Sequence, residues 1–363
     1  MDRFHQCFGA MTDPRADNCQ HDLLEILFIA LLASLCGARS CSDMAEFGRA
    51  KEPLLRSLLS LAHGIPSHDT FSRVFRLLDP QTFEAAFRDF TAAFARRAKI
   101  GRPNGVVAID GKALRGAYER GQSHMPRVMV SAWGARTRMT LASTIAPGGN
   151  EAEAALRLVK LLQLKGCIVT ADALHCHRAM GRAIRARGGD YVLALKANQP
   201  ALLRDAEAAL AAEPSAQLAC TAERGHDRDE IRTARVVPAG FMAVQHDFAG
   251  LAAIARVESR RGAEPPVVRN FLLSRRWPAD RVLQIVRAHW GIENTLHWSL
   301  DVTLDEDLAR NRKDNGPANL AVLRRLALNI AAAHPDTKTS LRRKFLRAGW
   351  DDRFLFDLIR HMR

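Results

Sequence analysis

Two short runs, Val106-Val107-Ala108-Ile109 and Ile168-Val169-Thr170-Ala171, are apolar or β-branched throughout, and each stops on an aspartate. A run of this length without polar alternation fits a strand buried on both faces, in a sheet covered by helices. Around these two strands the chain supplies further elements. Val128 to Trp133 and Met139 to Ile145 read as antiparallel neighbours, Glu151 to Leu164 as a helix, His175 to Arg187 as a helix stopped by Gly188-Gly189, and Tyr191 to Leu195 as a fifth strand.

The resulting order, β-β-β-α-β-α-β, predicts an α/β fold with an RNase H-like catalytic core: a mixed five-stranded sheet with flanking helices. Residues 200 to 275 lose that rhythm. Strands expected around Thr221, Ile231 to Val237, Ala253 to Val257 and Val267 to Leu273 predict a β-rich insertion. Asp280 is then expected to cap a helix bearing Val282, Ile285, His289, Ile292 and Leu296 at spacings of three and four. The stretch from Asn315 to the end is helical and basic. The domain boundaries expected are 1–97, 104–330 and 331–363, with a linker-like stretch at Gly101 to Gly105.

The first segment is helical by hydrophobic period. Asp22 can cap a helix through Leu23, Ile26, Leu27, Ala30 and Leu31, with Gly37 as its stop. Ser42 opens a short helix ended by Gly48, and Leu54 to Leu61 forms another. The turn Gly64-Ile65-Pro66-Ser67-His68-Asp69-Thr70 leads into a helix with Phe71, Val74, Phe75 and Leu78 on one face. With Arg73 and Arg76 outward, this is either a helix-turn-helix or plain helical packing. The apolar run Ile26 to Cys36 is too short to span a bilayer and reads as a core helix.

Charge narrows the choice of partner. Lys and Arg outnumber Asp and Glu by 53 to 39, a formal net charge of +14. Between residues 96 and 138 there are ten basic side chains against two acidic ones. That concentration points to a polyanion, of which nucleic acid is the commonest. The seven cysteines include no C-x-x-C pair, so neither a zinc framework nor a disulfide scaffold is expected, and a reducing cytoplasm is the default. No signal sequence or membrane segment is expected.

Asp110 and Asp172 are the first candidates for chemistry. A carboxylate at the end of a rigid buried strand is aimed into a cleft, and two on neighbouring strands can share divalent cations such as Mg2+. Taken singly, each aspartate reads first as the end of a strand in a polar turn, a common place for Asp. Glu293 follows Ile292 on the helix stripe, where a carboxylate needs a partner: a metal held with Asp110 and Asp172, or a nearby arginine.

These residues stand in longer motifs. Ala108-Ile109-Asp110-Gly111-Lys112 with Leu114-Arg115 resembles the first-aspartate motif of DDE insertion-sequence transposases of the H-repeat-associated (ISAs-type) family. Similar to the same family, and in its order, are Gly64 to Phe71, Ile168 to Ala173, Asp190 to Gln199, His289 to Val302, Glu306-Asp307 and Arg310-Asn311-Arg312. The resemblance implies an RNase H-like domain whose triad, here Asp110, Asp172 and Glu293, binds two Mg2+ or Mn2+ ions. It also implies binding to the terminal inverted repeats of the element and to target DNA, a homodimer on paired ends, and a β-rich insertion between the second aspartate and the glutamate. Some positions depart from the pattern. The family's Lys-Ser-Asn-Glu is Gly148-Gly149-Asn150-Glu151 here, His177 replaces a common Gln, and Gly-His-Gly-Arg appears as Gly225-His226-Asp227-Arg228. The Tyr and Arg that related transposases carry shortly before the glutamate are replaced by Val286 and His289.

On this resemblance Lys112, Arg115, Lys196, Asn198, Arg310 and Arg312 are the expected DNA contacts; the alternative for each is a solvated surface or a closed turn. Trp298 is expected in the core rather than stacked on a base, and His289 and His297 in structural hydrogen bonds. Implied overall is metal-dependent DNA cleavage at element ends followed by strand transfer. The alternatives are an inactive or domesticated DNA-binding relic and an RNase H-like nuclease without strand transfer. The expected setting is the bacterial cytoplasm, associated with the nucleoid.

Overall fold

The computed structural model describes residues 2–97, 105–118, 125–213, 217–225 and 228–360. Most of the linker-like stretch, part of the basic segment and the middle of Gly225-His226-Asp227-Arg228 lie outside the described residues. The centre of the protein is a nine-stranded mixed sheet. Its strands are β1 (Gly105–Leu114), β2 (Arg127–Gly134), β3 (Met139–Ile145), β4 (Cys167–Ala171), β5 (Asp190–Leu195), β6 (Gln217–Gly225), β7 (Arg228–Pro238), β8 (Ala253–Arg261) and β9 (Val267–Leu273). They run in the order β3-β2-β1-β4-β5-β9-β8-β7-β6. β1, β4 and β5 are parallel, and every other pairing is antiparallel.

Two expectations are corrected by this sheet. β1 does not stop at Asp110 but runs on to Leu114, paired with β2 throughout. The sheet has nine strands rather than five, because residues 200–275, expected as a β-rich insertion, are β-rich and continue it: β9 pairs with β5 through Val192↔Leu273 to Leu195↔Asn270. The segment also holds a helix, Pro200–Ala212, whose Leu202, Ala206 and Leu210 are buried at helical spacing.

Alternation along the strands sorts their side chains to two faces. Val107 and Ile109 of β1, with Val169 and Ala171 of β4, pack under the helices Glu151–Leu161 and Arg178–Ala186. Val106 and Ile168 face the other way, toward Val282, Ile285 and Val286 of the helix Ala279–His289. On that same side Ala108, Met129 and Trp133 join the terminal helices in one apolar cluster that includes Phe4, Phe28, Phe87, Leu326 and Phe354.

The helix Gly316–Ala333 is the axis of that cluster, and every residue from Gly316 to Ala331 is buried. Its polar side chains are hydrogen-bonded within the core. Asn319 donates to the carbonyls of Phe75 and Leu78, and Asn329 exchanges hydrogen bonds with the Thr140 backbone. Such bonds are what allow polar groups into a core, although Asn319 Oδ1 and Arg325 Nη2 find no partner there among the described residues.

Asp22 caps the helix Leu23–Leu35 by accepting from the Glu25 amide, and Gly37 follows it at φ 91. This helix is apolar around its whole circumference and correspondingly buried. Among the described residues no helix is long and apolar enough to cross a membrane. The next helix, Cys41–Ala50, is capped by Ser40 in a capping box with Asp43, one turn-start earlier than expected at Ser42, and runs through Gly48. Ser67 caps His68–Leu77. On that helix Arg76 pairs with Asp314 at 2.7 Å, which fits packing against the C-terminal part of the fold.

A cleft of carboxylates at the strand ends

Ile109 and Ala171 are partners in the parallel pairing of β1 with β4. The next residues, Asp110 and Asp172, therefore leave the two strands at one level. Asp110 shares the parity of Val106 and Ala108, and Asp172 that of Ile168 and Thr170, so alternation assigns both to the sheet face covered by the Ala279–His289 helix.

That helix is not continuous to Leu296, nor does Asp280 cap it; Pro278 occupies the cap position. After His289 the chain widens into a π-helical turn, Ile292–His297, before resuming as Trp298–Val302. π turns are rare and are frequent at functional sites. Ile292 points into the core, while Glu293 is exposed toward a cleft of about 170 Å³. Sequence spacing alone put Glu293 on the buried side; the wide turn presents it to the cleft instead. The turn can lie close to the sheet because residue 291 is glycine: a Cβ there would sit 2.7 Å from the Trp133 ring.

Asp172 and Glu293 line this cleft together with Thr170, Lys196, Arg269, His289 and Trp290. Asp110 stands beside it, its side chain 19% exposed. Burial, then the negative charge of Glu293, and further those of Asp172 and Glu151, push the Asp110 carboxyl up to about 7, against a hydrogen bond from the Gly111 amide. Burial also raises Glu293; the Arg269 guanidinium pulls it down, and Asp172 adds to the rise. The three expected residues are thus close enough to sense one another's charge.

Glu151 is a fourth carboxylate in this group. It begins the helix capped by Asn150, and its Oε2 lies where a Cβ on residue 111 would be only 2.0 Å away. Only glycine next to Asp110 leaves room for it. Burial and the charge of Asp172 raise Glu151 as well.

The histidines around the cleft are held neutral. His289 Nδ1 lies 3.0 Å from the Thr170 hydroxyl, and burial pushes its pKa down to about 4. His297 Nδ1 is 3.8 Å from Asp110, and burial, with the charges of Arg325 and Lys112, pushes it down to about 3. His175 is buried 3.8 Å from Asp172, and burial lowers it too.

The expected DNA contacts divide. Lys196 is exposed and lines the cleft. Arg115 and Arg310 are exposed, Arg115 lying 3.4 Å from Asp307. Lys112 is turned inward, against expectation: its side chain is 7% exposed, with Asp301 and Asp307 each at 2.7 Å and Glu306 at 3.8 Å. An ammonium so enclosed by carboxylates has no free valence for phosphate. Asn198 spends its amide on the Ala173 carbonyl at 2.7 Å, bracing the loop after Asp172. Arg312 donates to the Gly116 carbonyl and stacks on Tyr118, 4.1 Å from the ring centroid. Trp298, expected in the core, is 53% exposed: it stands two residues from each of the buried Leu296 and Leu300, which on a helix is the opposite side.

Whether these residues suit a divalent cation follows from their chemistry. The donors are carboxylate oxygens with no thiolate among them, and burial, together with their crowding, keeps Asp110 from ionising normally. A hard cation such as Mg2+ or Mn2+ relieves that repulsion and prefers oxygen. Among the described residues no three His, Cys, Asp or Glu side chains are already drawn into a ligand cluster.

Glu151 and Arg269 were missed by sequence reasoning. For Glu151 a signal existed, since it follows a capping Asn in a quoted motif. For Arg269 none did: only the β5–β9 pairing brings it to the cleft.

Comparison with known proteins is consistent with this geometry. A family model described as "Transposase DDE domain" matches residues 101–330, and one described as "DDE_Tnp_1-associated" matches residues 5–91. The chain is 30% identical to "Putative protein YbfL" of Escherichia coli (strain K12) over 94% of its own length and 93% of that relative. It is 40% identical to "Uncharacterized protein in dhlA 3'region" of Xanthobacter autotrophicus, over 70% of this chain and 87% of the relative. It is 29% identical to "H repeat-associated putative transposase YhhI" of Escherichia coli (strain K12), over 94% of this chain and 93% of the relative.

Proposed function

Because this chain belongs to the transposase DDE domain family, we propose that it is an active DNA transposase, cutting at the ends of its element and joining them to target DNA. The observation that carries the reading is the shared level of Asp110 and Asp172 on adjacent parallel strands, with Glu293 beside them across one cleft. The strand order β3-β2-β1-β4-β5 supports taking the first part of the sheet as an RNase H-like core. In that core, Asp110, Asp172 and Glu293 are the catalytic residues.

The chemistry is two phosphoryl transfers. In the first, a water oxygen attacks the phosphorus at the element end; the P–O3′ bond breaks, and the departing 3′-oxygen takes a proton. In the second, that 3′-hydroxyl loses its proton and attacks a target phosphodiester, whose own 3′-oxygen leaves. The three carboxylates would hold Mg2+ or Mn2+, which when bound activates the nucleophile and stabilises the leaving oxygen. Lys196, Arg115 and Arg310 contact backbone phosphates. Lys112 acts instead by fixing β1 beneath Asp110. The helical region 1–97 recognises the terminal repeats, 104–330 carries the chemistry, and 331–363 is a basic extension. A homodimer pairs two ends, and the protein works at the nucleoid in the cytoplasm.

The test is incubation of the full chain with duplexes made from the DNA bordering its gene, a supercoiled target and Mg2+. Joined end–target products are expected. Cut but unjoined ends would leave a nuclease, and binding without cleavage would leave an inactive DNA-binding protein.

A further inference from the structure

A cleft bordered by Asp172 and Glu293 repels a phosphodiester unless a fixed positive charge receives it. The helix before Glu293 brings none to the cleft: Val286 is buried, His289 is tied to Thr170 and kept uncharged, and Arg281 and Arg287 are not among the lining residues. The cations lining the cleft come from the sheet. Lys196 follows the end of β5, and Arg269 lies on β9, one residue before Asn270, the partner of Leu195.

Arg269 is built differently from a surface arginine. It is half-buried, and its guanidinium carbon lies 4.9 Å from the centroid of the Trp290 ring, two residues before the wide turn. Stacking on an indole holds the planar group while leaving its N–H edge available. Its charge reaches Glu293, yet among the described residues it forms no salt bridge with any carboxylate. A guanidinium that is oriented, placed beside the carboxylates and not consumed by them matches the two non-bridging oxygens of a phosphate.

We propose that Arg269 is a substrate-binding residue of this cleft, holding the non-bridging oxygens of the DNA phosphate that undergoes transfer. The inference rests on the transposase reading and adds a residue to it. The long β segment between Asp172 and Glu293 then has a chemical task, because its last strand delivers a cation that the helix does not bring to the cleft.

The experiment measures binding of the full chain to a duplex of the bordering DNA by fluorescence anisotropy, with Ca2+ to hold the complex without cleavage. The duplex is intact or carries one uncharged methylphosphonate, moved through the cut. In the wild type, neutralising the phosphate at the cut should weaken binding about tenfold or more, the scale of a lost charged hydrogen bond. Arg269→Gln should bind the intact duplex about tenfold more weakly and be indifferent to the methylphosphonate at the cut, while remaining sensitive to it elsewhere. Arg269→Lys should recover part of both effects. If Arg269→Gln keeps the wild-type sensitivity at the cut, or weakens binding equally at every position, Arg269 does not hold that phosphate. If the wild type fails to bind the bordering duplex, DNA itself is the wrong substrate and the transposase reading falls with it.

Discussion

Arg325 and Glu306 form an ion pair from which water is wholly excluded: Nη1 lies 3.0 Å from Oε1, and both side chains are 0% exposed. Arg325 also donates from Nε to the Ser131 hydroxyl, and Ser131 is the β2 partner of Asp110. The pair therefore joins the central helix of the core to the strand beneath the cleft. Removing Arg325 leaves the buried Glu306 with only its longer contacts, to Lys112 at 3.8 Å and Arg324 at 4.0 Å. Arg325→Met should cost about 3–5 kcal/mol, whereas Arg325→Met with Glu306→Leu should recover much of that loss. Denaturant midpoints of the three proteins decide it, and equal destabilisation of the single and double variants would show that the pair is not the source.

Asp110→Asn keeps the side-chain shape and removes the crowded charge. Without metal the variant should melt at a higher temperature than the wild type, because the cost of burying a charge there and the repulsion from Glu293, Asp172 and Glu151 are both gone. Added Mn2+ should stabilise the wild type and leave the variant unmoved. DNA affinity should hold, and cleavage should fall by several orders of magnitude. Differential scanning fluorimetry with and without Mn2+, beside a gel-shift, reads all of this. Near-normal cleavage by the variant removes Asp110 from the mechanism.

Glu84 offers a pH dependence remote from the cleft. It is 8% exposed on the helix Pro80–Arg97, and burial pushes its carboxyl up to about 7 from an ordinary 4.5. The folded state thus holds this proton more tightly than the unfolded chain. The associated stability is fully present below about pH 4.5 and is lost as pH rises through about 7. Glu84→Gln should flatten that part of the stability profile and exceed the wild type at pH 8 by on the order of 2–3 kcal/mol. Parallel stability curves for the two proteins from pH 5 to 8 would mean that Glu84 does not titrate there.

Gly291→Ala places a methyl 2.7 Å from the six-membered ring of Trp133. Overpacking of this kind costs about 1–3 kcal/mol. The turn carrying Glu293 must move, so cleavage should fall further than DNA affinity. Trp133→Phe in the same chain removes the outer ring and should restore both stability and cleavage. Failure of that rescue would locate the damage elsewhere.

The elements around the cleft were legible wherever the information is local. Asp110 and Asp172 announced themselves by ending apolar runs, and the strands of residues 217–273 were each readable by composition. That these strands extend the same sheet was not, because the β5–β9 pairing joins segments whose mutual affinity no local pattern encodes. Lys112 was misread for a related reason: next to an aspartate it resembles a phosphate contact until Asp307, 195 residues away, is seen to hold it. Trp298 was misplaced because it is surrounded in sequence by Leu296, Leu300 and Val302, whereas residues two apart on a helix face opposite sides, so buried Leu296 and Leu300 leave it outside.

The π turn at Ile292–His297 determines which changes of length the chain tolerates here. A π turn is an α-helix with a residue too many, and each residue of a regular helix accounts for about 100° of rotation. Straightening the turn without shortening the chain would swing Trp298, Asp301 and everything beyond about 100° around the axis relative to Val286. Asp301 would leave Lys112, and the strand under Asp110 would lose that anchor. Deleting one residue inside the turn, such as Asn294, removes the surplus instead, and the residues on either side keep their phase as the backbone closes into an ordinary helix. The same single-codon loss a few residues earlier, in the regular helix Ala279–His289, has no surplus to absorb it and re-aims a whole face of the protein.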